Sequence, residues 1–259
     1  MTARSKPVGK SPSKLCLTVD VEDWYDGMEV LGHRLARPIE AASGLVPLAS
    51  LIDSGESRSS VTLFVVGNYA CQVRSELEEL TAQGHEIASH GPDHGQLPKD
   101  PGSLLKWLRQ GREILEDMFQ SPVRGFRSPR FDIPEGMGLD RFRDLTAEAG
   151  YRYTSDTHRF GPLSPVLELP VLRTHGLPIG GGSYQRLLPG RAVAAVVEAS
   201  AAPRVLYYHS YDFGADLPGL GAIRSAAVAK QVLGRKRVAK VFEMLIRRYG
   251  SEACANVAE

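Results

Sequence analysis

The chain has 259 residues, 42% of them hydrophobic and 24% charged, with a formal net charge of +1. These are ordinary globular values, and they argue against a nucleic-acid or membrane partner recruited by bulk charge. Three widely spaced cysteines, Cys16, Cys71 and Cys254, form no CxxC pair, which argues against a thiolate zinc site or a disulfide framework and for reduced thiols in a cytoplasmic protein.

In chain order, residues 1–14 are basic and polar, with no apolar signal-peptide segment behind them. They predict a disordered tail and a cytoplasmic location. No run approaches the roughly 18 apolar residues of a membrane span. LCLTVD (15–20) reads as a strand, as do VTLFVV (61–66) and HEIAS (85–89). RSELEELTAQG (74–84) is a helix stopped by glycine. SLLKWLRQGREILEDMF (103–119) is a longer helix with Ser103 as its N-cap. VRGFRS (123–128), YRYTS (151–155), VLELPVL (166–172) and RVLYYH (204–209) continue the strands, with a helix at 139–150. LPIGGGSYQRLLPG (177–190) is irregular, either a plain turn or the wall of a substrate cleft with Tyr184 and Arg186 as contacts. Residues 226–249 predict a long amphipathic helix.

Alternating strands and helices predict a parallel sheet with crossover helices. About seven such units fit a barrel better than an open dinucleotide-binding sheet, and no GxGxxG follows the first strand. No linker or repeat divides the chain. We expect a tail at 1–14, one catalytic domain at 15–250, and a second tail at 251–259.

Chemically capable residues collect where the strands end. Asp20, Glu22 and Asp23 end the first, His90 and His94 follow the third, Arg127 ends the fourth and His209 the last. In α/β barrels that face carries catalysis, because it gathers residues distant in sequence around one mouth. Three carboxylates within four residues repel one another unless a cation compensates. SHGPDH (89–94) adds two imidazoles, the commonest zinc ligands, although Gly91 and Pro92 prevent a plain helical pair. Two histidines and one carboxylate would leave a metal open to water and substrate. A second carboxylate would serve as general base, Arg127 would orient it through a bidentate pair, and His209 would protonate the leaving group. This is the equipment of metal-assisted amide or ester hydrolysis.

From about residue 15 to 215 these motifs, in this order, resemble the polysaccharide deacetylases (NodB homology, carbohydrate esterase 4). TVDVEDW resembles their first motif in the DVED form of exopolysaccharide-locus members, and TLFVVGNYA their second-strand stretch. GHEIASHGPDH is similar to the metal motif, GFRSPRF to the Arg-containing motif and VLYYHSYDF to the last one. LPIGGGSYQRLLP resembles a glycine-rich stretch of the DVED subgroup. The resemblance implies an α/β fold, a single-domain distorted (β/α)7 barrel. It implies a hydrolase acting on linear amide bonds, which removes acetyl from an N-acetylated sugar or glycan precursor. The implied cofactor is a divalent metal, zinc first, with cobalt, nickel, manganese or iron as alternatives.

By position, the resemblance makes Asp20 the base, Arg127 its holder, His209 the acid, and His90 and His94 ligands. Backbone N–H groups near Arg130 or Phe131 would stabilise an oxyanion, beside Pro129, and Leu206 would shape the acetyl pocket. The common motif has adjacent aspartates, but Val21 follows Asp20 here, so the carboxylate ligand is Glu22 or Asp23. Strand alternation favours Glu22 and a turn starting there favours Asp23; we lean to Asp23, with Glu22 paired to Arg127 or another cation. Asp156 and Asp212 are candidates to tune the acid histidine. Trp24 and Tyr25 are candidates to stack on sugar, and Trp107 and Phe119 to pack a helix on the barrel. His33, His85, His158 and His175 have no motif partner, and the basic run 234–240 reads as a solvated helix face. The alternatives are an amidohydrolase of the same fold acting on a small non-sugar amide, or an inactive carbohydrate-binding barrel.

Overall fold

Strand β1 (Cys16–Val21) is buried along its whole length, as expected of a strand flanked on both edges and covered on both faces. The structure is a computed structural model that describes residues 15–30, 43–54, 59–156, 165–174, 176–214 and 233–259. Six further strands follow: β2 (Thr62–Val65), β3 (Glu86–Ser89), β4 (Gly125–Phe126), β5 (Tyr153–Thr154), β6 (Leu167–Glu168) and β7 (Val205–His209). They form one sheet in the order β6-β5-β4-β3-β2-β1-β7, with every pair parallel. Single bridges from Val171 to Val205 and from Gly181 to Tyr207 join the β6 side to β7. The expected distorted (β/α)7 barrel is the fold observed.

Period-two alternation divides the core. Leu15, Leu17, Val19 and Val21 face outward with Leu63 and Val65 and pack under the helices. Cys16, Phe64, Ala88, Tyr153 and Val205 fill the interior. Thr18 and Asp20 share the inward parity of Cys16, and the register sets Asp20 level with Phe64 and His209. Gly125 leaves the space that the Tyr153 ring occupies; a Cβ there would lie 2.1 Å from it.

The helices are α1 (Trp24–Val30), α2 (Leu45–Asp53), α3 (Gly67–Ala70), α4 (Arg74–Ala82), α5 (Pro101–Phe119), α6 (Leu139–Glu148), α7 (Gly182–Gln185), α8 (Gly190–Ala199), α9 (Arg235–Tyr249) and α10 (Cys254–Ala258). Three expectations change. The α5 cap is Asp100, whose carboxylate accepts from the Ser103 N–H over 2.8 Å, with Pro101 opening the helix. The long helix starts at Arg235, after Gly234 in the left-handed region; residues 226–232 lie outside the described residues, as do residues 1–14. Residues 251–259 are not a loose tail: Ser251 bridges to Leu15, and Cys254 is fully buried. No helix among the described residues is long and apolar enough to cross a membrane.

Candidate metal and catalytic centre

The loop after β3 brings the two histidines together without a helix. His90 extends the strand ladder by donating its N–H to Val65 O over 2.9 Å. Gly91 then turns the chain at φ +85, and α3 clamps the loop through Gly67 N to Gly91 O and Asn68 N to Pro92 O. His90 Nδ1 lies 2.9 Å from Arg127 O. A carbonyl can only accept, so Nδ1 carries the proton and Nε2 presents its lone pair.

That lone pair faces Glu22. Glu22 Oε2 lies 2.7 Å from His94 Nε2 and 3.6 Å from His90 Nε2. These ligand atoms all lie within 4.8 Å of one another. Glu22 Oε2 is buried without a hydrogen bond of normal geometry, a costly state for an anionic oxygen unless a cation compensates. The donor set, two imidazoles and a carboxylate on one point, suits zinc or another divalent transition metal. Burial would push the Glu22 carboxyl up, but the charge of His94 beside it holds it well below its ordinary range. Burial would likewise lower His94, and Glu22 raises it instead.

Glu22, and not Asp23, converges on the histidines. Asp23 Oδ1 accepts the Tyr25 N–H over 3.1 Å and its carbonyl accepts the Asp26 N–H at the start of α1. The lean to Asp23 rests on Glu22 pairing with Arg127 or another cation. Arg127 instead takes Asp20, Nη1 to Oδ1 at 2.6 Å. It is a single contact, not a bidentate fork, because Nε and Nη2 donate to Ser155 O and Oγ over 2.9 and 2.7 Å. The guanidinium, fully buried, lies 4.1 Å over the Phe64 ring.

His209 stands across the cleft, its Nε2 3.9 Å from Glu22 Oε1 and its Nδ1 3.5 Å from Asp212 Oδ2. Burial would lower its pKa; the Asp212 hydrogen bond and the nearby carboxylates raise it to about 9. Of the two candidate tuners, Asp212 holds this place. Asp156 accepts the Ser128 N–H over 3.3 Å, and burial raises its carboxyl to about 6.

Asp20, Glu22, His90, His94 and His209 line one cleft of about 240 Å³, together with Gly27, Ser128, Arg130, Phe131, Tyr207 and Tyr211. Arg130 and Phe131 both adopt left-handed backbone, φ +58 and +57, although neither is glycine. Strain of that kind is held in place by surrounding structure and collects at functional sites. Several expected contacts are elsewhere. Trp24 and Tyr25 are buried and pack on each other, with centroids 4.1 Å apart, so neither is a sugar platform. Tyr184 is partly exposed and does not line the cleft, and neither does Pro129, which is buried. Arg186 is fully buried against Asp212. Leu206 faces outward into the core; Tyr207, two residues before His209, lines the cleft. Alternation carries that signal, because residues i and i+2 share a face. Tyr211 stacks on His209 at 4.9 Å with an interplanar angle of 7°, a contact that sequence reasoning missed. Trp107 and Phe119 pack on the core as expected, and His85 is a buried core-edge residue. His33, His158 and His175 lie outside the described residues.

The polysaccharide deacetylase family model matches residues 56–154, and a domain of unknown function, DUF3473, matches residues 146–259. The two meet in one sheet, since β5 at the end of the first match pairs directly with β6 of the second, while β1 precedes both. No curated protein matches the sequence. Among solved structures, a candidate polysaccharide deacetylase from Mycobacterium smegmatis is 23% identical with a TM-score of 0.61, covering 98% of this chain and 91% of that one. Puue allantoinase is 16% identical with a TM-score of 0.60, covering 97% and 90%. A carbohydrate esterase 4 family pseudoenzyme from Bacillus anthracis is 11% identical with a TM-score of 0.52, covering 96% and 67%. The polysaccharide deacetylase model covers residues 56–154 of the chain, and these solved structures, each under 25% identical, share its fold.

Proposed function

We propose that this protein is a metal-dependent deacetylase of N-acetylated sugars. One observation carries the reading: Glu22, His90 and His94 converge beside an arginine-held Asp20, with His209 across the same cleft. Glu22, His90 and His94 would hold the metal. When bound, a divalent metal supplies Lewis acidity for the acyl carbonyl and lowers the pKa of a nearby water.

The remaining steps belong to the chain. Asp20 is the general base, and its Arg127 contact fixes the carboxylate on the cleft side of β1. His209 carries a proton at neutral pH and delivers it to the departing amine nitrogen. The Phe131 N–H is taken by the Ser128 carbonyl, which favours the Arg130 N–H in the proposed role of oxyanion donor. Phe131 and Tyr207 meet edge to face at 5.0 Å and flank the acyl group.

A compact cleft of about 240 Å³ favours one second reading, hydrolysis of a small non-sugar amide. Acetate and amine release from a panel of N-acetylated sugars and small cyclic and linear amides separates the two. Turnover of the amides without acetate release would select the second reading. Asp20→Asn is expected to lower kcat by about 100-fold or more with metal content unchanged. Acetate release at the wild-type rate in that variant would remove Asp20 from the base role.

A further inference from the structure

The glycine-rich stretch lies outside the cleft, yet it presses closely on the strand that carries His209. Gly181 bridges Tyr207 in parallel, and the Tyr207 N–H donates to Gly180 O over 2.9 Å. A Cβ on Gly181 would lie 2.7 Å from the Tyr207 ring, and one on Gly182 3.1 Å from an Asp212 carboxylate oxygen. Absence of side chains at these positions permits the approach. The approach delivers Arg186, just beyond α7, to Asp212. Arg186 Nη2 lies 3.1 Å from Asp212 Oδ1, and both side chains are fully buried. The same nitrogen lies 3.2 Å from Ser183 Oγ.

Asp212 uses its other oxygen on His209. Oδ2 accepts the His209 N–H over 3.1 Å and lies 3.5 Å from the imidazole Nδ1. One carboxylate oxygen is therefore fixed by Arg186 while the other faces the ring. A buried ion pair is a weak source of stability, since apolar replacements are often neutral or better. Its position behind His209 has a clearer use in holding geometry.

We infer that Arg186 is a positioning residue, which clamps Asp212 so that the carboxylate holds the His209 imidazole with Nε2 turned to the cleft. Arg186 itself does not line the cleft, so it acts through Asp212. An aspartate that orients an imidazole by its Nδ1 is a known catalytic device; here an arginine fixes the aspartate in turn. The inference rests on the deacetylase reading above.

The test compares Arg186→Met, Arg186→Lys, Asp212→Asn and the Met/Asn double variant in the full, metal-loaded chain, on an acetylated sugar that the wild type hydrolyses. Arg186→Met is expected to lower kcat by about 10–100-fold with KM within about threefold. Arg186→Lys should recover most of that loss. The double variant should lose little beyond Asp212→Asn, because the two residues act as one unit. Bound metal per chain should stay constant throughout. Histidine ring nitrogen NMR gives a readout independent of turnover: the His209 Nδ1–H signal, protected from exchange in the wild type, should broaden in Arg186→Met. Wild-type turnover with unchanged kcat in Arg186→Met overturns the inference and leaves the deacetylase reading intact. If the wild type hydrolyses no acetylated sugar, that reading fails, and an unchanged Nδ1–H signal in Arg186→Met overturns the inference separately. Should Arg186→Met not fold, Arg186→Gln replaces it; a kcat drop of at least about fivefold supports the clamp and a wild-type kcat overturns it.

Discussion

At Glu22 and Asp23, adjacent carboxylates have different surroundings and different expected roles. Glu22 Oε2 faces two imidazole nitrogens, whereas Asp23 caps the start of α1. Glu22→Gln is expected to weaken zinc binding by about 100-fold or more, and Asp23→Asn by no more than about threefold, in a calorimetric titration. Equal losses in the two variants would return Asp23 to the ligand set. Asp156 permits a stability test in the metal-free protein. Its carboxyl is raised from 3.8 to about 6 in the fold, chiefly by burial. Between these pH values the native state keeps a proton that the unfolded chain releases, so this group favours folding least above pH 6. The cost there is at most about 3 kcal/mol, and it vanishes below about pH 4. Asp156→Asn keeps an acceptor for Ser128, so it should raise Tm by several degrees at pH 7.5 and hardly at all at pH 4. A pH-independent shift would point to packing rather than charge. Residue types at the strand ends were legible in the sequence, because few uses justify two histidines, an arginine and carboxylates there. Side-chain direction was less so: alternation separates Tyr207 from Leu206, but nothing local says that Trp24 turns inward.

The loop between β3 and α5 decides whether His90 and His94 meet. Gly91 sits at φ +85, and a Cβ there would lie 2.3 Å from the Trp107 ring. Gly111, one turn beyond Trp107 on the same face of α5, lets that helix approach the loop, with its Cβ position 2.9 Å from the backbone at Gly91 and Pro92. Gly91→Ala therefore combines left-handed strain with overpacking and is expected to cost about 2–4 kcal/mol in a denaturant melt. Gly136 is the control: its φ is +81, but nothing lies within 4 Å of its Cβ position, so Gly136→Ala should cost about 1 kcal/mol. Similar losses at both positions would show that the Trp107 contact carries no weight. Because Gly91 separates the two ligands, its substitution should also weaken zinc binding, unlike that of Gly136. The strands were read nearly in full because buried parallel strands leave compact apolar runs. Helices α7 and α8 were not, because Gly182 and Gly190 stand at their first positions and glycine ordinarily signals a turn.

Closure of the barrel depends on contacts that no local pattern announces. Residues 251–259 read as a tail in sequence, yet they seal the face opposite the cleft. The Leu17 N–H donates to Ser251 Oγ over 3.0 Å, the Cys254 N–H to Thr62 Oγ1 over 2.8 Å, and the Ala255 N–H to Glu86 Oε2 over 3.0 Å. Glu86 also accepts from Tyr153 and Thr62, each over 2.7 Å, inside the barrel. The three bonds made by residues 251–255 join positions more than 160 apart, beyond the reach of periodicity or capping signals. Deleting 251–259 would open the base, strip Glu86 of one donor and expose the interior beside Cys16. Thiol labelling reads this out directly. Cys71 is exposed while Cys16 and Cys254 are buried, so the native chain should label quickly at one thiol and at all three only after denaturation. In the deletion variant Cys16 should label on the same timescale as Cys71, and Tm should fall. If Cys16 stays protected and Tm is unchanged, the segment is an appendage and the barrel closes without it. If Tm falls while zinc binding at Glu22, His90 and His94 persists, the base carries stability and the mouth carries the chemistry, the division expected of an α/β barrel.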